Sequence, residues 1–568
     1  MMTKFSTLSV YLCDLLLFLS AVSAAQAGPL DGYADEAAWN AQLAEIDATD
    51  AATVSSLGVT AAGRDVSVIT IGQGEPDKKP AILIVGNVVA PHLVGGELAT
   101  RLARQFAAPS MENQASVQAL LERFTLYVIP RPNPDATALC FVSPAQERSV
   151  NTRPTDDDRD GELDEDGFED LNGDGLITML RVEDVAGDHI PHPNEPRILI
   201  PTDRTKHERG LYRVITEGVD NDHDDAFNED GLGGVAFHRN FPFQYRHFQP
   251  GVGPDPVSEP ECRAVADFCF AHPNIALVFS FSPEDNLFRP WEADNNAAQA
   301  RIKTGLLPDD SPLTKLLAER FQKAHGGADA PESATYDGSF VRWAYFHYGR
   351  WSLASRAWWP PKVDPKQPES TTSGEQPKKP EDDPRAADQL RALRWLDQQG
   401  IAGFVPWTPI EHPDFPGQKV EVGGFHPFVT LNPPAAELDA LAQKHLAFLT
   451  ALPEVLPRIV IVKQRVESVG AGVFRVAATV VNEGQLPTMS EMGRISEYPY
   501  PVQVTLTLPE GAKLITGRAR QQLAPLAASG GAQELEWLIL RGEAGKSTVH
   551  IQAAAPAVGA AAIDIELK

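Results

Sequence analysis

Cysteine is scarce, with four residues in a chain of 568. Cys13 falls in the N-terminal leader described below. Cys140, Cys262 and Cys269 are too few and too irregularly spaced for a disulfide framework or a metal knuckle. Cys262 and Cys269 share one helical pattern, about 10 Å apart in rise, too far to bridge each other. All three are expected to be core thiols. Positive charge is also short: Lys plus Arg number 49 against 77 Asp plus Glu, a formal net charge of −28. That deficit excludes non-specific nucleic-acid binding and attraction to an anionic membrane surface. Long apolar runs are missing beyond the first residues, so no membrane span is expected in the mature chain. What is present is ordinary for a globular protein, 43% hydrophobic and 22% charged. The length suggests two or three domains.

Residues 1–27 read as a secretory signal peptide, with Lys4 near the start, an apolar stretch through 15–19, and Ala25-Gln26-Ala27 as a small-residue cleavage site. The chain is therefore expected to be exported, to a periplasm or the extracellular space. Apolar runs at 81–85, 126–129 and 276–281 read as buried strands, and residues 94–106 as a helix following the first. Ser258-Glu259-Pro260-Glu261 reads as a capping box opening a helix to about residue 271, and Ser311-Pro312 as another helix start. The alternation implies an α/β domain, a mixed sheet flanked by helices, over 28–456, closed by a helix at about 436–452. Residues 360–385, rich in Pro, Lys, Glu, Ser and Thr, read as a disordered insertion. From 457 to 568, six short apolar stretches separated by Gly and Pro turns predict a small β-sandwich.

The negative charge is concentrated. Residues 156–174 hold eleven acids, and 217–230 hold seven with no Lys or Arg. Within the acidic segments 155–182 and 217–231, Asp156, Asp158, Asp160 and Asp164 form one loop. Asp220, Asp222 and Asp224 repeat its spacing, and Asp170, Asn172 and Asp174 form a third loop between them. Oxygen donors at every second residue, with Gly or a small turn near the third, suit one hard cation. Structural calcium is the expectation, although none of the loops carries the bidentate Glu at position twelve of an EF-hand.

Five motifs in order carry a resemblance over roughly 45–450. They are Gly86-Asn87 followed by Val94-Gly95-Gly96-Glu97-Leu98; Ile129-Pro130-Arg131-Pro132-Asn133-Pro134-Asp135; Gly234-Val235-Ala236-Phe237-His238-Arg239-Asn240-Phe241-Pro242; Ser258-Glu259-Pro260-Glu261; and Trp343-Ala344-Tyr345. Together they resemble the zinc carboxypeptidases of the carboxypeptidase A type. That family implies one zinc that polarises the scissile carbonyl and activates a water, held by His-x-x-Glu and a later His, with a Glu as general base. Here the resemblance places Val89 and His92 at the first two ligand positions, Ser282 at the third, and Arg356 at the base. Valine cannot ligate zinc, serine does so poorly, and arginine accepts no proton at neutral pH. A rebuilt site from His92, His238 and an acid such as Glu284 is the alternative.

The resemblance also assigns Arg239 to the grip on a terminal carboxylate, with His238 beside it. It places Arg153, or alternatively Arg148, near the reacting carbonyl. Guanidinium forks suit carboxylates because they bind them bidentately. The resulting expectation is an exported, non-catalytic binder of peptide C-termini or other carboxylate ligands, with no catalytic residue, calcium in its loops and zinc lost. The runner-up is an active zinc carboxypeptidase with a rearranged metal site. A third reading is a structural or adhesive envelope protein in which the sandwich does the binding.

Overall fold

A computed structural model describes residues 28–156, 161–223, 227–228, 233–363, 383–542 and 548–568. The segment read as a signal peptide, the centre of the stretch read as an insertion at 360–385, and Asp158, Asp160 and Asp224 lie outside these residues. The architecture is a mixed sheet flanked by helices, followed by antiparallel β-sheets. The main sheet has the spatial order Ala52–Val59, Asp65–Ile71, Thr125–Ile129, Ala81–Val85, Ile275–Phe281, Trp351–Ser355. The last four run parallel, and the first two join antiparallel at one edge.

The apolar strands follow from burial on both faces. Ile82 and Ile84 enter the core beneath the helices Leu93–Ala107, Ser311–His325 and Leu438–Ala451. Ala81, Leu83 and Val85 enter the opposite core with Cys262, Val265 and Phe340. A sheet covered by helices on both sides needs continuous apolar strands. Gly86 ends the first of these strands because a side chain there would strike the Pro130 and Gly95 carbonyl oxygens, at 2.4 and 2.8 Å from a Cβ. A Cβ added at Gly95, on the following helix, would lie 2.6 Å from Phe281 Cβ. These contacts seat the helix start on the strand ends.

The helix Pro260–Ala271 forms as its sequence predicts, but not by a Ser258 capping box. Its N-cap is Glu259, without a side-chain cap bond, while the Ser258 hydroxyl donates to Glu259 and accepts from Asn240. Cys140, Cys262 and Cys269 are buried free thiols. The ends of the 360–385 stretch are packed: Pro360 lines a cavity, and Arg385 pairs with Glu208 at 2.6 Å.

A second sheet was not evident in the sequence. Its antiparallel order is Phe404–Ile410, Val420–Phe425, Met179–Glu183, Tyr212–Thr216, His189–His192, Glu195–Pro201. Prolines at 191, 196, 201, 406 and 409 interrupt the strand signal in sequence. The C-terminal part packs two four-stranded sheets around Val476, Trp537, Ile539 and Ile551. Strands Lys513–Thr516 and Arg520–Gln522 and the helix Glu491–Ser496 add to those predicted. No helix among the described residues is long and apolar enough to cross a membrane.

Candidate functional site

The loops leaving the carboxyl ends of the parallel strands converge, where ligands bind in open α/β sheets. His92 is the N-cap residue of Leu93–Ala107 and is fully buried. Its Nε2 lies 2.7 Å from the Arg356 carbonyl oxygen, which only accepts, so Nε2 carries the proton. Nδ1 then holds a lone pair and has no partner. Burial pushes this imidazole down to about 4, so the ring is neutral at pH 7. Ser282 is buried, and its Oγ accepts the Glu284 N–H at 3.1 Å. The acids that follow are already used. Glu284 pairs with Arg342 Nε at 2.5 Å and accepts from Ser339 Oγ. Asp285 accepts the backbone N–H groups of Leu287, Phe288 and Arg356.

His238 stacks edge-on against Tyr336, 4.4 Å between centroids, and burial holds it at about 3. It lines neither of the two cavities described next, and Glu284 is turned to Arg342. Among the described residues, no three His, Cys, Asp or Glu side chains are grouped to hold a metal ion. Val89, His92 and Ser282 supply one imidazole and no carboxylate, a donor set that does not fit a catalytic zinc.

Two cavities share the Glu147 and Phe168 walls. The larger, about 540 Å³, is mostly apolar, with Ile177, Met179, Trp358, Trp359 and Phe425 among its walls. His92, Glu147, Arg356, Asp388, Arg391 and His426 are its titratable lining. The smaller, about 260 Å³, carries Arg148 and Arg239. Arg148 donates to the Asn151 and Gly233 carbonyls at 3.5 and 3.2 Å, and Arg239 to Pro250 O at 2.8 Å. Arg153 lines neither cavity. It pairs with Glu259 at 2.7 Å, positioned by Asn151, whose amide bridges Glu259 and Glu261. Glu147 is open to cleft solvent yet closely walled, and its Oε1 accepts the Phe428 N–H at 2.5 Å. Desolvation by those walls raises its carboxyl above the usual range. Glu147, Arg391 and the tryptophan walls lie outside the motifs that carry the resemblance, so no sequence signal marks them.

The acidic loops pack on each other beside this cleft. Asp166 Oδ1 accepts the Asn221 backbone and side-chain N–H groups, and Oδ2 accepts the Asn228 N–H at 2.6 Å. Asp170 accepts from Gly173, Asp174 and Gly175, with Asn172 and Asp174 closing further turns of the loop. Asp164 accepts the Thr155 and Gly233 N–H groups, and Asp220 that of His223. Asp156 and Asp222 lie in the same region, with one Asp156 oxygen buried and unpartnered.

Residues 38–157 match the zinc carboxypeptidase family, and residues 458–566 match a domain family of unknown function, DUF8731. Carboxypeptidase B of Astacus astacus is 30% identical over 110 residues, 19% of this chain and 34% of that protein. Carboxypeptidase E of Caenorhabditis elegans is 29% identical over 128 residues, 21% of this chain and 27% of that protein. The chain thus spans about a third of the length of these curated relatives. Among solved structures, carboxypeptidase A from Helicoverpa armigera is similar at 13% identity and a TM-score of 0.34, over 57% of this chain and 63% of that one. A metallo-carboxypeptidase from Burkholderia cenocepacia is similar at 15% identity and 0.29, over 56% and 58%. The similarity to zinc carboxypeptidases thus lies in residues 38–157, which span the first ligand loop and the segment around Asn133.

Proposed function

We propose that this chain is exported and binds peptide C-termini, or other carboxylate ligands, without hydrolysing them. One observation carries the reading. In a chain with an excess of 28 acids, Arg148 and Arg239 line one cavity and hold only main-chain carbonyls, with no carboxylate partner among the described residues. A guanidinium left unpaired beside so many carboxylates has donors in reserve for an incoming one. The absence of hydrolysis follows from side-chain chemistry. Arg356 stands at the family's general-base position, and its guanidinium donates to the Pro283 and Glu332 carbonyls. An arginine at that position takes no proton from water at neutral pH.

Zinc analysis of the mature protein, after dialysis against trace zinc, is the test of inactivity. A value well below one ion per chain is expected, and one zinc per chain would restore the reading of an active enzyme. Binding is tested with one peptide bearing either a free or an amidated C-terminus. The free form is expected to bind and to lose about tenfold or more in affinity with Arg239→Gln. Equal binding of the two forms would remove the carboxylate grip. The acidic loops take structural calcium in this reading, supported by the every-second-residue spacing of oxygen donors at Asp170, Asn172 and Asp174 and at Asp220 and Asp222. Calcium should then raise the melting temperature relative to a strong chelator, and identical melts would contradict it.

A further inference from the structure

We infer that the larger cavity is a second anion subsite, so that the favoured ligand is a peptide ending in an acidic residue. Its terminal carboxylate would lie at Arg148 and Arg239, and its side-chain carboxylate at Arg356 and Arg391. This rests on the binding reading above.

Arg356 and Arg391 reach the cavity from different elements, the end of the strand Trp351–Ser355 and the helix Ala387–Gln399. Both anchor to one short segment: Arg356 donates to Glu332 O and Arg391 to Asp329 O, each at 2.7 Å. Three residues of chain span no more than about 11 Å, which keeps the two anchoring carbonyls close together. Neither guanidinium forms an ion pair among the described residues. Each uses one of its terminal nitrogens on carbonyls, which leaves the other donors of its fork. Arg356 is partly buried, and desolvation lowers it from its ordinary value with Asp285 and Asp388 opposing, a cost that an arriving anion would offset.

Two acids share the wall. Asp388 lies in the first turn of its helix, where the helix dipole already favours a negative charge. Glu147, at the junction of the two cavities, is bonded to the Phe428 N–H, and its raised carboxyl can accept a proton as an anion enters. The apolar walls, Trp358 and Trp359 among them, leave room for the methylenes that carry an acidic group.

The test uses full-length mature protein and two fluorescent peptides identical except for a C-terminal Glu or Gln, each with a free terminal carboxylate. The Glu peptide is expected to bind about tenfold tighter. Arg391→Gln, which loses one carbonyl contact and should melt like the parent, is expected to remove that preference while leaving the Gln peptide unaffected. Arg239→Gln is expected to weaken both. Equal affinity for the two peptides in the parent protein would overturn the second subsite while leaving the carboxylate grip standing. Binding of neither peptide would overturn both. Competition by free glutarate as strong as by the Glu peptide would support the two-anion cleft but identify a small dicarboxylate as its source.

Discussion

A buried carboxyl beside the cleft makes pH a probe of single residues. Glu261 is fully buried, accepts one Asn151 N–H at 2.8 Å, and leaves its other oxygen unpartnered. Burial raises it to about 7, with the Asn151 bond opposing and Glu259 and Asp135 adding repulsion. The folded state therefore holds this proton more tightly than the unfolded chain does. Its contribution is intact below the unfolded value near 4.5 and is lost as pH rises through about 7. Glu261→Gln keeps an acceptor for Asn151 without the buried charge. The variant should be more stable than the parent at pH 8 by ~2–3 kcal/mol, with the gain vanishing near pH 5. Denaturant melts at the two pH values decide it, and a gain of equal size at both would contradict the assignment.

Glu147 gives a second pH effect, in binding rather than stability. Its raised carboxyl takes a proton as pH falls towards its elevated value, and the cleft then presents one negative charge fewer to an anion. Affinity for a carboxylate peptide should rise as pH drops from 7 towards 5, and Glu147→Gln should flatten that slope. An unchanged slope in the variant would place the titrating group elsewhere.

At the scale of elements, two carboxylates do structural work that the sequence does not announce. Asp310 is buried and accepts the Glu491 and Met492 N–H groups at 2.9 and 3.1 Å and the Tyr345 hydroxyl at 2.7 Å. It completes the first turn of Glu491–Ser496, whose own N-cap, Ser490, takes only the Gly493 N–H. Asp310→Ala strands those N–H groups and should cost about 2–3 kcal/mol, read from the denaturation midpoint. A loss under 0.5 kcal/mol, about the size of an ordinary surface substitution, would show that solvent replaces the carboxylate. Glu217 binds the Leu171 N–H and both donors of Thr178, tying an acidic loop to a strand.

These elements also show what was legible in the sequence. The parallel strands were legible because burial on both faces leaves unbroken apolar runs such as Ala81–Val85, and their helices because Gly86 and Ser311 punctuate them. The second sheet was not, because its strands carry prolines and pair segments more than two hundred residues apart. At the site, motif order located Arg239 and Arg356, but Arg153 and His238 lie off the cavity walls. Whether a guanidinium meets Glu259 or faces open space is decided by tertiary contacts that a motif does not encode.

For the whole molecule, the sandwich keeps its own core but sends residues into both cores of the large domain. Leu486 packs in one core of the large domain and Met492 in the other, and the Leu486 N–H donates to Val455 O. Arg320 reaches Gln485 at 2.7 Å across the same junction. Removing residues 457–568 would uncover both cores, so a chain ending at Leu456 should melt well below the parent or aggregate. Calorimetry of the parent should show one transition, whereas two resolved transitions would mean independent units.

The cleft itself is built by two sheets of different character. Its floor includes His92, Pro283 and Arg356, from segments that follow the parallel strands. Its roof includes Met179, Thr216 and Phe425, from the proline-interrupted antiparallel sheet. Gly86 and Gly95 leave no room for added atoms beneath the first of those segments, whereas Met179, Thr216 and Phe425 are only partly buried. The cleft thereby combines walls whose substitution costs stability with walls that tolerate variation, so that its lining can diversify on one side while the other stays fixed.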